Sequence, residues 1–65
     1  HILLKALQAL PFRQRTALIQ RQFEDLGYRL IAENLGCSEG TARAHVYQAL
    51  RKLRIRWHQM NTEED

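Results

Sequence analysis

The segment from Gly36 to His45, which reads GCSEGTARAH, restricts the fold of this chain more than any other. Gly36 follows an apolar run, in the position where a glycine commonly ends a helix. Ser38 is a favoured N-cap, because its hydroxyl accepts a backbone N–H from the first turn of a helix. Glu39 in that turn suits the positive end of the helix dipole. The segment therefore predicts a tight turn that ends one helix and starts the next.

The helix capped by Ser38 has one apolar side and one basic side. Successive residues are about 100° apart, and the apolar ones fall within about 100°, the width of a core-facing stripe. This stripe consists of Ala42, Val46, Ala49, Leu50, Leu53 and Trp57. The opposite side is predicted to be exposed, with Thr41 and His45 at one flank. It holds Arg43, Ala44, Tyr47, Gln48, Arg51 and Lys52.

Three shorter helices are predicted upstream. Residues 2–10 are strong helix formers with leucines spaced by four and three, and Pro11 ends this first helix. A second helix spans about residues 12–25, and Gly27 breaks its pattern. A third runs over about residues 28–35. The core-facing residues of the second helix are predicted to be Phe12, Thr16, Ile19, Phe23 and Leu26.

No segment has the pattern of a strand, so the predicted fold class is all-α. We expect a small four-helix domain that contains a helix-turn-helix and spans residues 1–60, followed by a polar C-terminal tail over 61–65. Because the chain starts at His1 inside a predicted helix, it is expected to be a piece of a longer protein. No apolar run approaches the roughly 20 residues that cross a bilayer, so membrane insertion is not expected.

The net charge of +3 is concentrated in one segment. Between Thr41 and His58 the chain has no acidic residue and five basic ones, Arg43, Arg51, Lys52, Arg54 and Arg56. A helix of this kind fits the major groove of DNA, where its first turns meet base edges and flanking arginines neutralise phosphates. A basic helix face is also typical of an ordinary solvated surface, and the pattern alone leaves both interpretations open.

Residues that carry out catalysis or bind metal ions are not apparent. The sequence offers no nucleophile with a base, no carboxylate pair and no glycine-rich phosphate loop, so an enzyme is not expected. Cys37 and His45 could each bind a metal ion, but the sequence places no third ligand near them. No metal site or cofactor is therefore predicted. Cys37 is interpreted as a small packed residue.

A set of residues between positions 9 and 54 matches one known family in a single ungapped register. It comprises Leu10, Pro11, Arg13, Gln14, Arg15, Tyr28, Ile31, Ala32, Glu33, Leu35, Gly36, Ser38, Gly40, Thr41, Arg43, Ala49, Leu53 and Arg54. On these residues the chain resembles region 4 of the sigma-70 family and is most similar to its extracytoplasmic-function group.

The resemblance implies a bacterial, cytoplasmic module of transcription initiation. Such a domain binds the flap of the RNA polymerase β subunit and places its last helix in the major groove of the minus-35 promoter element. Many relatives are also inhibited by an anti-sigma factor. The implied DNA-binding residues are Ser38, Thr41, Arg43, Ala44, His45, Tyr47, Gln48, Arg51 and Lys52. Leu3, Leu7 and Leu30 are the candidates for binding a protein partner.

Two departures from the family pattern keep other interpretations open. His45 and Gln48 stand where many members have arginine, which predicts low DNA affinity for the isolated domain. Leu30 stands where the family usually has a polar or acidic residue, which suggests a contact with another molecule. One alternative is therefore a sigma-like decoy that sequesters an anti-sigma factor. The other is a LuxR-type helix-turn-helix, in which a histidine like His45 is common.

Overall fold

The computed structural model describes the backbone of residues 2–63 and the side chains of residues 3–59. In this part of the chain four helices follow one another: α1 (Ile2–Gln8), α2 (Phe12–Gln22), α3 (Tyr28–Leu35) and α4 (Glu39–Glu63). The predicted all-α, four-helix fold is confirmed. Residues 61–63, predicted to belong to a polar tail, continue α4, and residues 64 and 65 lie outside the described part.

The core lies between α2, α3 and α4. Its largest fully buried side chains are Leu18, Ile31 and Val46, one from each of these helices. The alanines Ala17, Ala42 and Ala49 are also completely buried, and their small side chains let the helix axes approach closely. Helix α1 adds Ala6, and the segment after it adds Leu10. Partly buried residues packed against this core include Leu7, Leu26, Tyr28, Leu35, Cys37, Leu50 and Leu53.

The prediction for the buried side of α2 was wrong for its two phenylalanines. Phe12 and Phe23 are 67% and 64% exposed, whereas Ala17 and Leu18 are buried. Helix α2 ends at Gln22, three residues before the predicted end. Four-three spacing fits more than one face of a helix, and the contacts with α3 and α4 select the face that carries the smaller residues.

The end of α2 also explains the position of Leu26. Asp25, just after the end of α2, has a φ of 57°, in the left-handed region. The N–H of Leu26 then donates to the carbonyl oxygen of Gln20 at 2.9 Å. Leu26 therefore reaches the core from the connection between α2 and α3, and not from a continued helix.

Two arginines of α2 stabilise the ends of neighbouring helices. Arg13 donates from Nη1 to the carbonyl oxygen of Leu35 at 2.9 Å, and Arg15 donates to the carbonyl oxygen of Gln8 at 3.3 Å. The last carbonyls of a helix lack partners within the helix, and a cation there also interacts favourably with the helix dipole. Two residues that carry the family resemblance thus have structural contacts.

The prediction that Trp57 completes the core stripe was also wrong, because its side chain is 50% exposed. Helix α4 has 25 residues and α3 has eight. At 1.5 Å per residue, α4 is about 37 Å long and α3 about 12 Å long. The apolar stripe therefore extends beyond the helices that cover its first half.

Candidate nucleic-acid interface

The turn before α4 has the geometry that its sequence predicts. Gly36 has a φ of 67°, a left-handed conformation that side chains disfavour. Its N–H donates to the carbonyl oxygen of Glu33 at 3.3 Å, and the N–H of Cys37 donates to that of Ala32 at 3.0 Å. This pair of bonds is the Schellman motif, and it ends α3 sharply.

Ser38 caps α4 as predicted. Its Oγ accepts the backbone N–H of Thr41 at 3.0 Å and donates to Thr41 Oγ1 at 2.8 Å. The carbonyl oxygen of Ser38 accepts the N–H of Ala42 at 2.9 Å, which is the first bond of the helix. Residues 36–38 therefore join α3 and α4 in a three-residue turn, and the two helices form the predicted helix-turn-helix.

The side of α4 that was predicted to be exposed is exposed. Its members are Arg43, Ala44, Tyr47, Gln48, Arg51 and Lys52, and we call them the α4 face. Tyr47 is the largest apolar surface among them, at 58% exposure. Ser38 and Thr41 are exposed beside the face at the start of the helix. Because Ala42, Val46 and Ala49 are buried on the other side, the core holds this face outward.

Two side chains of the α4 face contact residues from other helices. The guanidinium carbon of Arg43 lies 4.8 Å from the centroid of the Tyr28 ring. Gln48 accepts at Oε1 a hydrogen bond from Nε2 of Gln14, at 3.0 Å. Neither contact was predicted from the sequence. Helical periodicity carries no signal for pairing between helices.

His45 has a different environment from the α4 face. It is half-buried, and its Nδ1 is buried without a hydrogen-bond partner among the described residues. The prediction that His45 reads bases stays a prediction.

The three leucines proposed as partner contacts are not equivalent. Leu3 on α1 and Leu30 on α3 are exposed. Leu7 is half-buried and packs against the core, so it offers less surface.

Within the described residues, no three or more His, Cys, Asp and Glu side chains form a group that could hold a metal ion. No helix in that same part has the length and apolar character that a membrane span requires.

Comparison with known families decides what kind of helix-turn-helix this is. The family model described as "Sigma-70, region 4" matches residues 1–53. The chain belongs to the sigma-70 region 4 family. This is a family of DNA-binding transcription-factor domains and not of enzymes. The match also sets aside the LuxR-type interpretation.

Curated relatives agree with the family match. The chain is 43% identical over 51 residues to RNA polymerase sigma factor SigV of Bacillus subtilis, covering 78% of this chain and 31% of that protein. It is 42% identical over 45 residues to RNA polymerase sigma-H factor of Pseudomonas aeruginosa, covering 69% of this chain and 23% of that protein. The chain thus spans less than a third of the length of these relatives. A comparison with solved structures found no significant match.

Proposed function

We propose that this chain is the promoter-recognition domain of an alternative sigma factor of the extracytoplasmic-function group. In this proposal α4 lies in the major groove of the minus-35 element. The observation that carries the proposal is the α4 face, which is exposed and contains three cations and no acidic residue. The face begins in the first turns of α4, directly after the helix start that Ser38 caps. The family membership and the two sigma-factor relatives support the same conclusion.

Each part of the α4 face has a chemical role in this proposal. Arg43 has the paired donors that match the O6 and N7 acceptors of guanine, and Gln48 has the donor and acceptor that match adenine. Tyr47, between them in sequence, contacts a thymine methyl group or a phosphate. Arg51 and Lys52 lie farther along the helix and neutralise phosphates. Ala44 lets the helix approach the base edges closely.

The start of α4 is proposed to lie against the DNA backbone. The N-terminal end of a helix presents free N–H groups and a partial positive charge, which together favour a phosphate. Ser38 and Thr41 are exposed there, and their hydroxyls can also contact phosphate oxygens. Phosphate contacts at this end set the depth at which the following turns enter the groove.

Protein partners form the second part of the proposal. We propose that the domain acts in the bacterial cytoplasm on RNA polymerase, through the flap of the β subunit, and that an anti-sigma factor inhibits it. The exposed apolar side chains of Leu3 and Leu30 support a protein contact outside the α4 face. Leu7 is half-buried against the core and contributes less surface to such a contact.

A transcription experiment tests the DNA-binding role. The full-length protein is assembled with core RNA polymerase, and promoter-dependent transcription is compared for Arg43→Ala, Tyr47→Ala and the control Lys5→Ala. Lys5→Ala removes one exposed positive charge from α1. A lost bidentate base contact costs about 1–3 kcal/mol, so Arg43→Ala is expected to lower transcription at least about fivefold.

Assembly with core polymerase is measured separately by native gel electrophoresis. Arg43→Ala and Tyr47→Ala should assemble normally and still transcribe less from the promoter, while Lys5→Ala should retain transcription. If both α4 variants transcribe as well as the control, the proposal is wrong. Retained binding of an anti-sigma factor would then favour the decoy interpretation.

A further inference from the structure

Tyr28, the first residue of α3, contacts two arginines from different helices. The guanidinium carbon of Arg21 on α2 lies 4.7 Å from the ring centroid, and that of Arg43 on α4 lies 4.8 Å from it. Both distances are within the range of about 6 Å over which a guanidinium is attracted to an aromatic ring. The ring therefore connects the helix that presents the α4 face to the two helices beneath it.

The two arginines are held to different degrees. Arg21 is half-buried, and its Nη1 donates to the carbonyl oxygen of Leu26 at 3.1 Å. Arg43 is exposed and belongs to the α4 face. Tyr28 itself is half-buried and packs against the core. Arg21 and the core thus hold the ring in place, and the ring in turn holds Arg43.

We infer that Tyr28 is a positioning residue for Arg43, an inference that rests on the proposed function of α4. A long exposed arginine side chain samples many rotamers, and DNA binding must restrict it to one. A ring contact before binding reduces that entropic cost. A guanidinium that stacks on a ring through its flat surface keeps the N–H donors in its plane available for a base edge.

The quadrupole of the ring, and not the hydroxyl group, is responsible for this role. Phenylalanine at position 28 should therefore replace tyrosine with little loss, whereas leucine keeps apolar bulk and removes the attraction. Phe12 and Arg15 provide a matched control, because Arg15 lies 6.0 Å from the Phe12 ring on α2. Phe12→Leu removes an arginine–aromatic contact that does not involve the α4 face.

A double-mutant cycle tests the inference in the full-length protein assembled with core polymerase. Affinity for a duplex with the minus-35 element and for a scrambled duplex is measured for Tyr28→Leu, Tyr28→Phe, Phe12→Leu, Arg43→Ala and the Tyr28→Leu/Arg43→Ala pair. Tyr28→Leu is expected to weaken specific binding about two- to fivefold, the strength of an exposed cation–π contact. Tyr28→Phe, Phe12→Leu and all binding to the scrambled duplex should change little.

The double variant separates positioning from a general structural effect. If Tyr28 acts through Arg43, Tyr28→Leu adds no further loss once Arg43 is alanine. An equal loss in both backgrounds, or no loss in either, overturns the inference while leaving the proposed function intact. No effect of Arg43→Ala on specific binding also overturns the inference, and the proposed function falls with it only if Tyr47→Ala likewise leaves transcription unchanged.

A series of fluorinated phenylalanines at position 28 tests the same inference if Tyr28→Leu fails to fold. Phenylalanines with increasing numbers of fluorine atoms at position 28 retain the ring shape and progressively weaken its negative face. Specific affinity should fall stepwise along this series, with unchanged affinity for the scrambled duplex. A flat response across the series contradicts the positioning role.

Discussion

The two halves of α4 form one continuous helix in different surroundings. In the first half, residues 39–53, Ala42, Val46 and Ala49 are buried in the core with α2 and α3. In the second half, residues 54–63, all the side chains whose burial is described are exposed, including the apolar Ile55 and Trp57. Helix α1 borders this half along an open groove.

The contrast shows what helical periodicity can and cannot predict. Val46 and Trp57 lie on the same apolar stripe around the helix axis. Val46 is nevertheless buried, whereas Trp57 is 50% exposed. The spacing of apolar residues identifies the side of a helix that is able to pack. Whether that side packs depends on how far the neighbouring helices extend. The first half of α4 is therefore anchored in the core and supports the α4 face, whereas the second half extends beyond the core.

The sharpest test of this contrast compares Val46→Ala with Trp57→Ala. Val46→Ala removes buried methyl groups and leaves a cavity, and should lower the free energy of unfolding by about 2–3 kcal/mol. Trp57→Ala should change the free energy of unfolding by no more than about 0.5 kcal/mol. The side chain that it removes lies outside the core, and alanine has the higher helix propensity. Urea denaturation followed by circular dichroism measures both. An equal cost for the two variants would show that the second half is packed after all.

The next largest effect concerns the turn that starts the packed half. Gly36→Ala should lower the free energy of unfolding by about 1–2 kcal/mol, because a side chain disfavours the left-handed conformation. An added Cβ meets nothing within 4 Å at Gly36 or at Gly40, so the cost is conformational and not steric. Gly40→Ala is the matched control. It should be neutral or stabilising in the same denaturation experiment, and a cost there would contradict the explanation.

The smallest of these effects is the loss of the cap. Ser38→Ala removes the acceptor for the N–H of Thr41 and should cost about 1 kcal/mol of unfolding free energy. Ser38→Asp restores an acceptor and should recover the stability. Amide hydrogen exchange should show faster exchange at Thr41 in the alanine variant, with little change in the second half of α4. Uniform change along the whole helix would mean that the two halves are not independent.

The candidate site was predictable wherever local chemistry controls the structure. The left-handed Gly36, the Ser38 cap and the outward direction of Tyr47 follow from residue types and helical spacing. The contacts of Arg43 with Tyr28 and of Gln48 with Gln14 were not predictable. They join residues that are 15 and 34 positions apart, and no periodic pattern relates such pairs.

The sequence alone determined where the helices of this protein begin and end around the turn, and which side of α4 faces outward. These features depend on backbone conformation, capping and the 3.6-residue repeat, which are local properties. Only the tertiary structure decided that α2 buries Ala17 and Leu18 and not its phenylalanines, and that Trp57 projects beyond the core. It also decided that Tyr28 lies against Arg43, because such contacts depend on how far each helix extends and how its neighbours pack against it.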